Sequence, residues 1–278
     1  MDWLTDNKIP VGRWARDGVD WLTDNAAFVF DAIESVLEGV IALILAVLQT
    51  PPALIVVAAF CLAAWLLHRS IWMVLLTALG FLFIINQGYW EETTETLTLV
   101  LASALVCMAI GVPVGIYLAH RPRAYAFARP VLDLMQTLPT FVYLIPAIIF
   151  FGLGMVPGLV ATVVFVIPAP IRLTQLGISS TPKAMIEAGQ AFGASGTQLL
   201  WKVELPSAMP QIMAGLTQTI MLSLSMVVIA ALVGADGLGI PIVRALNTVN
   251  IGLGFEAGIV IVVVAIILDR LLRRSEKA

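Results

Sequence analysis

The sequence predicts an all-α, polytopic membrane bundle: about seven transmembrane helices with an N-terminal interfacial amphipathic helix in front of them. Two observations predict it. Hydrophobic residues fill 60% of the 278 positions and charged residues only 12%, about half the charge of an ordinary soluble domain, and mean hydropathy is +0.99. The apolar residues are also gathered into runs approaching the roughly 20 residues that cross a hydrocarbon core about 30 Å thick. No water is available there to satisfy backbone groups, so such runs are read as helices.

In chain order, residues 1–50 form the first region. "DWLTDN" occurs at Asp2–Asn7 and again at Asp20–Asn25. It reads as a short local duplication; the alternative makes Trp3 and Trp21 interfacial anchors. Pro10, Gly12 and Gly18 are expected to interrupt any continuous helix here. From Ala26 to Leu48, Asp31, Glu34 and Glu38 share one helical face and Phe30, Ile33, Leu37 and Ile41 another. That is the pattern of a helix lying in the interface, with an eighth span as the alternative. A basic start, apolar core and cleavage site do not follow one another at the beginning, so a removable signal peptide is not expected.

Residues 51–278 form the membrane domain, with seven runs at about Pro51–Leu67, Ile71–Gln87, Thr96–Ala119, Leu138–Gly154, Val156–Ile171, Met209–Val233 and Gly252–Leu272. Cys61 and Cys107 lie inside such runs and read as small core or lipid-facing residues. Seven crossings put Arg69, the trio Arg121, Arg123 and Arg129, the pair Lys183 and Lys202, and the tail residues Arg270, Arg273, Arg274 and Lys277 on one face. The positive-inside rule makes that face cytoplasmic and the N-terminus external. Glu91, Glu92, Glu95, Asp236 and Glu256 fall on the other face.

The segment of about 179–207 cannot be a span. Burying Lys183, Glu187, Lys202 and Glu204 would cost on the order of 10 kcal/mol. Its residues instead specify two short helices joined by an elbow. Thr181 can cap the first, with Pro182 at its first position. Ala184, Ala188, Ala191 and Phe192 share a side at helical spacing, and Gly193 can take the left-handed conformation that stops a helix. Ser195 with Gln198 fits a capping box for the second helix. That helix carries Leu199, Leu200 and Val203, and Pro206 is expected to close it by restricting Leu205.

The stretch "EAGQAFGASGTQLLWKVELP" (Glu187–Pro206) resembles the cytoplasmic EAA loop of ABC-importer permeases: Glu-Ala-Ala, three residues, Gly, nine residues, Ile, any residue, Leu-Pro. Glu187, Ala188, Gly193, Leu205 and Pro206 fall in register, while Gly189 replaces the second Ala and Val203 the Ile. Gly189 is expected to loosen the first helix by up to about 1 kcal/mol. From about Glu92 to Gly239 the chain resembles the glycine betaine/proline betaine branch, whose relatives for choline and other methylated amines look alike. "LDLMQTLPTFVYLIPAI" (Leu132–Ile148), "PAPIRLTQLGI" and Glu187–Gly239 carry the likeness.

The resemblance implies a type I ABC-importer permease in the bacterial inner membrane, working as a homodimer with two ATP-binding subunits and an extracytoplasmic solute-binding protein. It further implies that Glu187, Ala188, Gly189, Gly193, Leu205 and Pro206 form the ATPase-coupling loop. No cofactor is expected in this chain; ATP-Mg would be bound by the ATPase. In agreement, none of Lys8, Lys183, Lys202 and Lys277 follows a glycine, as the lysine of a phosphate-binding loop must.

Pathway candidates are Pro139, Phe141, Tyr143 and Pro146, because broken helices line transport routes and aromatic faces hold methylated cations. Lipid-facing or packing aromatics are the other reading of Phe141 and Tyr143. His68 and His120 stand apart at span ends beside arginine and read as interfacial residues. Arg172 and Asp236 lie near membrane boundaries, where they can snorkel. The pairs Gly111/Gly115 and Gly154/Gly158 suit close helix contact, within one bundle or across a dimer. Two rivals remain: a permease of another importer branch, such as one for amino acids, and an ion-coupled secondary transporter. The second predicts ionisable residues in mid-span, which are scarce.

Overall fold

In the computed structural model, residues 10–272 are described, and they form helices with no strand among them. The first copy of DWLTDN and the tail residues Arg273, Arg274 and Lys277 lie outside this range. Helix α1 (Val11–Gln49) starts after Pro10 and runs unbroken through Gly12 and Gly18, against expectation. It bends instead at Ala26 (φ −123°, ψ 15°). Just before the bend, Thr23 and Asn25 side chains donate to the Val19 and Trp21 carbonyls, a back-bonding that loosens helices. Of the apolar face expected here, Leu37 and Ile41 are buried and Phe30 stacks on Phe150 at 4.2 Å. Ile33 stays open.

Pro51 and Pro52 then stop α1, and α2 (Ala53–His68) leaves at 100° to it. Arg69, left-handed at φ 49°, turns the chain into α3 (Ile71–Asn86). Helix α4 (Trp90–Ala119) is followed by α5 (Pro122–Thr137) and α6 (Phe141–Phe151). The latter two meet at 95°, because Leu138, ahead of Pro139, is held extended (ψ 137°). Helices α7 (Met155–Val166) and α8 (Pro168–Ser179) make one 25-residue span. After the elbow come α11 (Leu205–Ala230), α12 (Gly239–Thr248) and α13 (Ile251–Leu272).

Each of the seven apolar runs is helical, but the lengths differ from expectation. Among the described residues, four stretches are long and apolar enough to cross a membrane unaided: Trp90–Ala119, Met155–Ser179, Gly196–Val233 and Ile251–Leu272. Counting each bent pair as one span gives up to six, and Ile71–Asn86 is a shorter apolar helix. The expected run Leu138–Gly154 is only the 11-residue α6, because Pro139 and the glycines at 152 and 154 (φ 72° and 140°) bound it on both sides. Pro168 and Pro170 sit in the first turn of α8, where a missing N–H is tolerated, so the fifth run extends to Ser179.

The core is a seam of α4, α8 and α11. A Cβ on Gly115 would lie 2.6 Å from Thr174 Cβ and 2.7 Å from the Ile171 carbonyl, and one on Gly111 would lie 2.9 Å from Pro170. Gly111 and Gly115 thus serve contact inside the bundle. Gly158 does the same against Ala230 and Ala235, whereas Gly154 turns the chain, its N–H donating to the Val233 carbonyl. Ser103 donates to Ser223 across α4 and α11 at 2.7 Å. Buried Thr98, Thr162, Thr219 and Ser223 return their hydroxyls to carbonyls four residues back, which satisfies them where water is absent.

Candidate functional site

The elbow occupies the end of the bundle where α4 and α8 finish. Its first helix, α9 (Lys183–Ala191), has no buried residue. Pro182 is its N-cap rather than its first residue, with ψ 127°. Thr181 does not cap it: the hydroxyl is buried and has no hydrogen-bond partner. The stop is as expected. Gly193 has φ 78°, the Ala194 N–H donates to Gly189 and the Gly193 N–H to Gln190, which together make a Schellman motif. No atom lies within 4 Å of where its Cβ would be, so glycine is required there by backbone handedness and not by space.

The capping box also forms. The Ser195 N–H donates to Gln198 Oε1 at 2.8 Å and the Gln198 N–H to Ser195 Oγ at 3.4 Å. Gly189, the departure from the EAA pattern, turns out to be a contact. A Cβ there would lie 2.6 Å from Leu199 Cδ2, so its absence lets the two arms close on each other.

The second arm departs from expectation. The single turn α10 (Gly196–Leu199) widens into a π-turn over Leu200–Glu204 and continues into α11 without a break. Leu205 is helical (φ −62°, ψ −46°) although it precedes proline, and Pro206 lies in the first turn of α11. Pro206 therefore does not close the arm. It has no N–H to donate to Lys202 and its ring crowds that carbonyl; widening the preceding turn relieves both. The elbow and a long span are one continuous lever.

Glu187 and Ala188 face outward, and Glu187 makes no hydrogen bond or ion pair among the described residues. Three large apolar side chains are also presented: Phe192 at 92% exposure, Trp201 at 67% and Met185 at 48%. Exposed aromatics of this size beside small residues suit a partner's pocket.

Two side-chain pairs here have no counterpart in the sequence reading. His120 Nε2 meets Glu204 Oε2 at 2.9 Å while its Nδ1 faces the Ile116 carbonyl at 2.9 Å. Arg172, expected to snorkel, binds Asp133 at 2.6 Å and ties α8 to α5. His68 does lie at a span end, but its Nε2 is 3.1 Å from the Leu271 carbonyl.

The pathway candidates lie apart from the elbow, at the α5–α6 bend. Pro139 is in the break, Phe141 is exposed and Pro146 is half-buried inside α6. Tyr143 uses its hydroxyl structurally, donating to the Met135 carbonyl at 2.8 Å across the bend. At the opposite end of α4 from His120, the Leu238 N–H donates to Thr96 Oγ1 at 2.9 Å. Glu91, Glu92 and Glu95 begin α4 at that end, and no group of acidic, histidine or cysteine residues among the described residues could hold a metal ion.

Comparison with known proteins finds a match over residues 111–278 to a family described as the binding-protein-dependent transport system inner membrane component. The chain is 44% identical over 263 residues to the glycine betaine/proline betaine transport system permease protein ProW of Escherichia coli, covering 95% of this chain and 74% of that one. It is 46% identical to the glycine betaine transport system permease protein OpuAB of Bacillus subtilis, covering 95% and 93%. Identity is 44% to the glycine betaine/carnitine transport permease protein GbuB of Listeria monocytogenes, covering 97% and 96%. Among solved structures, an inward-facing form of the MetNI methionine ABC transporter aligns with TM-score 0.58 and 25% identity, over 64% of this chain and 92% of that one.

Proposed function

The chain belongs to the family of binding-protein-dependent transport system inner membrane components, and from that premise we propose that it is the membrane permease of an ATP-driven importer for glycine betaine, choline or a related methylated amine. It is a transport subunit and not an enzyme; hydrolysis takes place in a separate ATPase, which binds the ATP-Mg. Two copies of the chain would form the pathway with two ATPase subunits and an external solute-binding protein, with the elbow and the C-terminus on the cytoplasmic side. The solute class is supported by the 44–46% identity to permeases named for glycine betaine. The methionine transporter, at 25%, is the weaker guide to substrate.

One observation carries the coupling role. The elbow is built stiffly, by a Schellman stop and a capping box, yet α9 buries none of its side chains against its own bundle. An ordered element that spends no side chain on its own core is shaped for another surface. Small residues at 184, 188 and 191 permit close docking, Phe192 supplies an apolar anchor, and Glu187 is free for a polar contact. When paired ATPases close on ATP, a push on α9 passes through the closely packed Gly189–Leu199 contact into the arm that becomes α11. A displacement there re-tilts a 26-residue helix within the seam that α4 and α8 complete.

The test is co-purification with the ATPase and solute-binding protein, followed by ATP hydrolysis in liposomes. Hydrolysis stimulated by solute-loaded binding protein is the expected result. Solute uptake by the permease alone, driven by an ion gradient, would overturn the reading.

A further inference from the structure

The elbow is held to the bundle partly by apolar packing. Leu200 and Leu205 lie in a cluster with Val112 and Ile116 of α4 and Ile178 of α8. Such packing is non-directional; it keeps the elbow close without fixing its angle. The continuous link to α11 passes through the π-turn, a five-residue widening next to Pro206. A turn of that kind, with a ladder hydrogen bond missing, is where a helix bends most readily. A push on α9 would therefore be absorbed at the π-turn unless something directional braces it.

His120 is in place to do so. It follows the last residue of α4, and Glu204 is the last residue of the π-turn. His120 Nδ1 lies 2.9 Å from the Ile116 carbonyl, one turn back along α4. Its Nε2 lies 2.9 Å from Glu204 Oε2, within hydrogen-bond reach. Both imidazole nitrogens are thereby committed, one to α4's own backbone and one to the elbow, which fixes the ring's orientation. Glu204 is 8% exposed, and a carboxylate so enclosed is strongly disfavoured without a partner.

We propose that His120 is a positioning residue for energy coupling: by gripping Glu204 it braces the π-turn, so that the elbow and the adjoining end of α4 move as one body. The proposal rests on the coupling role argued above and adds α4 as a second recipient of the motion, beside α11. It also gives the buried carboxylate a task that apolar packing could not perform.

The experiment uses the complete importer in liposomes and reads solute imported per ATP hydrolysed. His120→Leu should lower that ratio about tenfold, the ordinary size of a coupling between sites, while assembly and basal hydrolysis persist. His120→Gln keeps an N–H for the carboxylate and should stay within about twofold of wild type. The double variant H120L/E204L removes the enclosed carboxylate together with its half-exposed partner, so that no unpaired charge is left in the packing, and its ratio should remain as low as that of His120→Leu. An unchanged ratio in His120→Leu would overturn the proposal. Recovery in the double variant would also overturn it, since the pair would then serve only to neutralise a buried charge. Wild-type uptake indifferent to ATP would sink the coupling reading itself, and the brace with it.

Discussion

The seam and the elbow both depend on glycine, for opposite reasons. At Gly115 the backbone is ordinary helix and a Cβ would strike the Ile171 carbonyl and Thr174. At Gly193 the space is empty and the backbone is left-handed. In the seam, glycine lets helices touch, so its loss damages the fold. In the elbow, glycine lets the chain turn, so its loss alters the shape presented at the end of the bundle. The contrast separates the part of the molecule whose rigidity serves its own core from the part that is ordered yet buries none of its first helix.

The sharpest way to break this contrast is Gly115→Ala. Overpacking against a backbone oxygen should cost about 1–3 kcal/mol, seen as a clearly lower melting temperature in detergent. A wild-type melt would mean that the seam is looser than the distances imply. Next is Phe192→Ala, which removes an exposed anchor of the kind that contributes about 2 kcal/mol or more to an interface. Its affinity for the ATPase subunit should fall about thirtyfold with thermal stability unchanged; a stability loss without an affinity loss would assign Phe192 to the fold.

Gly193→Val forces a β-branched residue to positive φ, at about 1–2 kcal/mol. Membrane insertion should survive while hydrolysis stimulated by the binding protein falls several-fold. Normal stimulation would count against the elbow's shape being read. The smallest effect belongs to Ser195→Ala, which loses a cap worth about 1 kcal/mol. Faster amide hydrogen exchange at Gln198, with no change in global melting, is the expected outcome, and unchanged exchange there would show that the capping box adds nothing.

What could be read from the chain follows how local each feature is. The Gly193 stop and the Ser195–Gln198 box each involve residues a few positions apart, and both formed as anticipated. Gly111 and Gly115 announced close contact by spacing alone, though only the fold could say that α8 receives it. Pro206 misled because a local rule, the bias of the residue before proline, was overridden by continuity with a packed span and by a widened turn upstream. Gly12 and Gly18 misled in the opposite sense, being tolerated inside a helix that bends elsewhere. The His120–Glu204 and Arg172–Asp133 pairs join residues 84 and 39 positions apart, and no periodicity links them. Near Glu204 the one available signal was an acidic residue just ahead of an apolar span, which must find a partner or water.

The central claim is that the elbow faces the cytoplasm and carries an ATPase. It is tested most directly by Phe192→Cys in a background with Cys61 and Cys107 replaced by alanine, treated with a maleimide that cannot cross membranes. The account predicts labelling only when the cytoplasmic face is opened, and suppression of that labelling once the ATPase subunit is bound. Labelling from outside intact cells, or a rate indifferent to bound ATPase, would contradict it.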